Sequence, residues 1–286
     1  GRDKAIKDFE MKSKWRVLPK QFGDYRGKKI LEIEQICVGT SSMNYEEYLN
    51  CRNYSFIVKL LGHSVLKPVK KLTDKLGIKW FDFSRAVTKL IQHEQYEGKF
   101  KDLFKEFCKE SYEELFETQA DAIAFYSKKE NYKALVNGDI GENLMTKYTG
   151  RALLVLDDII NDLFYVIRKE FKDKINNELN VVLDSSEKWL KNLYLINIIF
   201  SDNKVKNIEN KLKIDFDFPE WLMNDTQPFR NFIKSSTYKF DLDIKKIDYI
   251  KNEIEVVTLG GRDKQRAFAR YIERRSSESN FFKKEF

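Results

Sequence analysis

Cysteine and histidine are scarce in this chain, and each shortage removes a class of function. The three cysteines, Cys37, Cys51 and Cys108, are too few and too scattered for a disulfide framework, and no two form a Cys-x-x-Cys pair, so a reducing cytoplasmic setting is expected. With only His63 and His93 present, each inside a helical pattern, a histidine-rich zinc or di-iron site is not expected and no metal ligand is assigned. No apolar run approaches the ~18 residues that a membrane-spanning helix needs, so no membrane partner is expected. The opening Gly1-Arg2-Asp3-Lys4 reads as a charged helix start rather than a signal peptide, and a first residue other than Met predicts a fragment of a longer polypeptide or a processed chain.

Rings and charges are plentiful instead. Phe and Tyr supply 36 of the 40 aromatic residues, which predicts a core built on rings more than on Val and Ala. At 286 residues the chain is long enough to bury such a core. Its 52 basic residues are nearly balanced by 45 acidic ones, and a net charge of +7 does not by itself imply a nucleic-acid partner.

The most densely specified stretch runs from Trp15 to Arg52. Ile30, Leu31, Ile33, Ile36 and Val38, bracketed by Pro19, Gly23, Gly27 and Gly39, predict a strand over about 29–38 after an extended lead-in. Strand alternation places Glu32 and Glu34 with Ile30 and Ile36, and Leu31 and Ile33 opposite, so cover on both faces is expected. Asn44 followed by Glu47 is a capping box and predicts that a long helix starts there. Glu32 and Glu34 on one face, with Arg52 on the following helix as partner, are the candidate substrate-binding residues; the alternative is a strand face that simply meets water or basic side chains.

Further along, helical spacing predicts helices over 3–13 and 45–61. A stretch interrupted by Pro68 and closed by Gly77 follows, then a helix from Trp80 stopped by Gly98, and one continuous ring-rich helix from Phe100 to Tyr126. A turn at Gly138 to Asn143, with Asp139 as cap, leads into a long helix to Phe171. Gly138-x-x-Gly141 is a weak phosphate-loop signal that an inter-helix turn explains as well. Another helix is predicted from about Ser185, capped by Ser185 or Asp184, to Phe200. Strict alternation over 211–218 and 238–244 then predicts two half-buried strands. The expected class is therefore mainly α with minor β (α+β): a strand-containing segment (1–40), a helical domain (41–205) and a small α+β unit (206–286).

The tail carries eight basic and four acidic side chains from Arg262 onward. Arg262, Arg266, Arg270 and Arg274 recur every four residues and would make one basic stripe on a helix, either a phosphate or nucleic-acid contact or a solvated face.

Trp15-Arg-Val-Leu-Pro19, Phe22-Gly-Asp-Tyr25, Ile30-Leu-Glu-Ile-Glu34, Cys37-Val-Gly-Thr40 and Met43-Asn-Tyr-Glu-Glu-Tyr48 with Arg52 resemble the region that follows the catalytic core in cobalamin-binding radical SAM proteins. Phe125-Tyr-Ser, Asn131-Tyr and Gly138-Asp-Ile-Gly-Glu-Asn-Leu144 resemble the helical extension of the same proteins, so the likeness spans roughly residues 2–150. The resemblance implies a carboxy-terminal domain that caps the barrel and shapes the substrate pocket. The Cys-x-x-x-Cys-x-x-Cys motif that holds the four-iron four-sulfur cluster is absent, as is a cobalamin-binding Asp-x-His-x-x-Gly pattern. The cluster, S-adenosylmethionine and cobalamin would then belong to an amino-terminal radical SAM core of the same polypeptide, the expected partner, with the substrate unknown.

Overall fold

A computed structural model describes residues 2–193, 211–240, 244–258, 267 and 282–285. The protein is mainly helical with two small antiparallel sheets, as the composition and periodicity predict. Contacts divide it into two compact units, Gly1–Ile57 with Leu103–Tyr148, and Val58–Asp102 with Thr149–Phe286.

The first unit is built on a hairpin. After a short helix α1 (Arg2–Asp8), strands β1 (Lys12–Tyr25) and β2 (Lys28–Gly39) pair antiparallel about a tight turn at Arg26-Gly27, both with positive φ. The predicted extended lead-in is thus a full strand, and α1 ends five residues before the sequence reading placed it. Pro19 argues against a strand, but it falls in a wide bulge where Leu18 to Gln21 lie opposite Glu32 alone and Lys20 takes φ +65. A bulge needs no ladder amide, so the ring is tolerated there. The bulge also restores the facing: Phe22 opposite Leu31 and Val17 opposite Ile33 reach the same side only because the count shifts between them.

That side carries the core. Val17, Leu31, Ile33 and Phe22 pack with Tyr126 of α6 (Gln119–Ser127) and with Leu135 and Tyr132 of α7 (Lys129–Asn137). The two-sided cover expected of β2 is only partial: Ile30 is 51% exposed and Glu32 stands in solvent near the hairpin tip, whereas farther along the strand Glu34 is half-buried against Arg16 and Val38 is buried. Gly39 leads into α2 (Tyr45–Leu61), and the capping box is formed both ways, Glu47 N–H to Asn44 Oδ1 at 2.9 Å and Asn44 N–H to Glu47 Oε2 at 2.8 Å.

The continuous helix predicted over 100–126 is instead α5 (Lys99–Glu113) and α6, parted by an extended segment in which Phe116 exchanges backbone hydrogen bonds with Trp15 of β1. Periodicity runs through the break because Leu115 is buried and Phe116 is partly buried as well, the latter against the hairpin core rather than along a helix face. Gly138 closes α7 in the left-handed region, and Asn143, not Asp139, caps α8 (Leu144–Ala152). At Gly141 (φ +70) a Cβ would stand 2.3 Å from Leu135 Cδ1 and 2.8 Å from Val17 Cγ1.

In the second unit Pro68 sits in the first turn of α3 (Lys67–Lys75), where its missing amide is harmless. Helix α4 (Trp80–Gln92) packs on α9 (Leu156–Glu170), and α9 on α10 (Asn177–Leu193), burying Phe83, Val87, Ile160, Leu163, Phe164 and Leu190. A 3-10 turn at Leu153–Val155 interrupts the single long helix expected up to Phe171. Helix α10 begins eight residues before Ser185, capped by the Asn176 side chain. Ser185, predicted as a cap, lies inside it and accepts the amides of Asp215 and Phe216 at 3.2 and 3.1 Å. Strands β3 (Lys211–Ile214), β4 (Ser236–Phe240) and β5 (Phe282–Lys284) form the second sheet, ordered β3-β4-β5. Asp217 is fully buried there and joins the pieces: it accepts from Tyr238 (2.6 Å), Ser236 (3.0 Å) and the Lys284 ammonium.

Two outcomes follow from this packing. Gly141→Ala is expected to destabilise the protein by about 2–4 kcal/mol, from the left-handed backbone and the overpacked methyl, read as a shift in the urea midpoint. Burial alone would raise the Asp217 carboxyl, but the hydrogen bonds from Lys284, Tyr238 and Ser236 hold it below its ordinary value of 3.8. Its stabilisation is therefore complete above pH 3.8 and lost as pH falls through the lower folded value. Asp217→Asn should cost about 2 kcal/mol at pH 7, and the gap to the parent protein should close in acid, followed by tryptophan fluorescence.

Candidate functional site

The densest set of polar side chains in the first unit forms where three chain segments meet. Simple extrapolation from the Arg26-Gly27 turn would place Arg16 opposite Cys37; the bulge shifts the register so that it faces Glu34. Arg16 Nε then donates to Glu34 Oε1 at 2.7 Å and its Nη1 to Glu114 Oε1 at 3.2 Å. Glu114 lies just past the end of α5, turned inward by the break that follows. From α2, Arg52 donates to the same Glu114 oxygen, to Ser111 Oγ at 3.3 Å and to Tyr48 Oη at 3.3 Å.

One carboxylate oxygen thus receives both guanidinium groups, while Glu34 balances Arg16 on its other edge. The Glu114 side chain is only 5% exposed. Burial pushes its carboxyl up from the ordinary glutamate range, against the opposing pull of Arg52 and Arg16. Next to it on the same helix face, Glu110 accepts from Lys147 at 2.7 Å and from Tyr148 at 2.8 Å. Tyr126, buried nearby, is raised by desolvation and by these two carboxylates. On the other flank Tyr45 stacks on Tyr48 at 6.3 Å under the Lys14 ammonium, and burial raises its phenol to about 12. The two arginines and the two glutamates cancel in charge, and their donors are turned on one another. Such an arrangement holds segments in place and offers no unbalanced acid, base or nucleophile.

Of the residues the sequence singles out, Glu34 and Arg52 enter the same cluster, linked through Arg16 and Glu114 rather than to each other. Glu32 is exposed and outside it, since the alternation that groups it with Glu34 runs into the bulge. Arg262, Arg266, Arg270 and Arg274 lie outside the described residues. Sequence reasoning missed Arg16 and Glu114; the Lys14-Trp15-Arg16-Val17 alternation was the signal for the first, whereas nothing local marks the helix break that aims the second.

The cysteines are free thiols, with Cys37 and Cys51 exposed. Burial raises the Cys108 thiol to about 12, which suppresses the thiolate needed for ligation or attack. Among the described residues no three His, Cys, Asp or Glu side chains are grouped to hold a metal ion. His63 is buried, and both histidines stand at helix ends with Nδ1 accepting a backbone amide, from Val65 at 3.4 Å and Gln95 at 3.3 Å. No helix among the described residues is long and apolar enough to cross a membrane.

Glu114→Gln keeps the shape and removes the charge shared by two largely buried guanidinium groups. It is expected to lower the unfolding free energy by about 3 kcal/mol in urea titrations, whereas Glu32→Gln should leave it within about 0.5 kcal/mol. No protein-family model matches this chain, and no curated protein matches it, so the reading of the site rests on its own geometry.

Proposed function

We propose that this chain is an accessory domain that caps the substrate side of a cobalamin-dependent radical SAM core and has no catalytic group of its own. The observation that carries the reading is the closed ion-pair cluster. Glu34 and Arg52, two of the three residues the sequence offered for substrate binding, are engaged in holding the hairpin to α2 and to the end of α5. What the first unit offers another domain is a rigid shape. Tyr25 and Ile30 stand exposed near the hairpin tip, apolar surface suited to covering by a neighbouring domain. The likeness of the Trp15–Arg52 and Phe125–Leu144 signatures to the region after a radical SAM core supplies the class of that neighbour. In this reading the cluster, S-adenosylmethionine and cobalamin are held by the core, and the protein works in the cytoplasm, in keeping with its free thiols.

Anaerobic reconstitution of the chain with iron and sulfide is expected to leave no stoichiometric cluster. The reading frame upstream of Gly1 is expected to encode the three-cysteine motif. A stoichiometric cluster bound by this chain, or an upstream frame with no such motif, would overturn the proposal.

A further inference from the structure

The second unit contains a cleft of about 390 Å³ between the carboxy-terminal halves of α4 and α9. We propose that it is a binding site for a small organic anion with an aromatic body. The site is independent of the capping role proposed above.

Its floor is apolar, with Val166 buried and Leu90 and Ala86 beside it, and the phenol rings of Tyr96 and Tyr165 form walls. This division, an apolar body with a few polar groups at the mouth, is the usual make-up of a small-molecule pocket, and the volume suits a ligand of one or two rings. The polar groups at the mouth are mainly donors. Lys89 comes from α4 and Lys169 from α9, the latter with its ammonium 5.2 Å from the centre of the Tyr165 ring. His93 Nδ1 accepts the Gln95 amide, which puts the neutral ring's proton on Nε2 and makes a further donor. Glu170 is the single carboxylate in the lining.

Both helices end at this cleft, and helix carboxy-termini ordinarily repel anions. At α4 that field is met from within: the Lys101 ammonium, itself 6% exposed, donates to the carbonyl oxygens of His93, Glu94 and Tyr96 at 2.5, 3.1 and 2.6 Å. The same three bonds fix the 93–96 loop that closes one end, and the Tyr96 hydroxyl is anchored to Asp162 of α9. The wall is therefore held in place before any ligand arrives, which reduces the ordering cost of binding. Lys89 and Lys169 also sit in the last turns of their helices, where a purely structural role would be to complement the dipole. Binding separates the two roles.

The test uses the full chain and phenyl phosphate as probe, with inorganic phosphate and benzylamine beside it, followed by calorimetry and by chemical-shift changes. Phenyl phosphate is expected to bind at one saturable site, at least tenfold more tightly than inorganic phosphate, with no saturable binding of benzylamine. Lys89→Met with Lys169→Met keeps the aliphatic stems and should weaken phenyl phosphate at least tenfold while circular dichroism is unchanged. Tyr165→Leu should narrow the advantage over inorganic phosphate. Absence of saturable phenyl phosphate binding, equal binding of benzylamine, or an affinity indifferent to loss of both lysines would each overturn the assignment.

Discussion

The buried carboxylate of Glu114, shared by Arg16 and Arg52, ties together three segments far apart in sequence: the β1–β2 hairpin, α2 and the turn that ends α5. A charge so placed is tolerated only when its partners are in position, because an unpaired carboxylate away from water is strongly disfavoured. The cluster therefore adds a requirement for agreement among elements that backbone pairing and chain connection already bring together. The bulge in β1 sets the register that brings Arg16 to Glu34. The extended segment at Phe116, hydrogen bonded to Trp15, turns Glu114 inward. The capping box at Asn44 and Glu47 fixes where α2 begins, and hence which of its faces carries Arg52.

The second unit uses the same device on a smaller scale. Asp217 gathers Ser236, Tyr238 and Lys284 around one buried carboxylate, and beside it Phe216, Phe218, Trp221 and Phe229 pack ring against ring at 5.1 to 6.3 Å. A short sheet of three- to five-residue strands buries little surface, so rings and a satisfied charge supply what the strands do not. The two units thus share a principle, in which buried carboxylates specify which segments meet while burial of aliphatic and aromatic side chains supplies the bulk of the stabilisation. Neither carboxylate is left unbalanced, and this is why the functional reading turns to shape and to the α4–α9 cleft instead of to a reactive centre.

Much of the fold was legible. The strand at Lys28–Gly39, helices at Tyr45–Leu61 and Trp80–Gln92, and the alternation at Lys211–Ile214 follow from periodicity, capping and turn residues acting within a few positions. The candidate site was half legible: Glu34 and Arg52 were identifiable as charged residues on strand and helix, but their bridging partners were not. The cleft was invisible to sequence, since Lys89 and Tyr165 lie on helices whose pairing is tertiary. Two of the failures fell at breaks. The 100–126 and 144–171 runs keep helical spacing through their interruptions, because a residue buried against a hairpin is apolar for the same reason as one buried on a helix face.

By itself the sequence determined a mainly helical α+β protein, the strand over about 29–38, the capping box and the supply of rings for a core. These depend on local sterics and hydrogen bonds that a side chain carries with it anywhere. Only the tertiary structure decided that four residues of β1 bulge opposite one of β2, that Arg16 rather than Arg52 meets Glu34, and that Glu114 stands between the two arginines. Register and ion-pair choice depend on the burial of faces supplied by distant segments, and no local preference encodes which distant segment arrives.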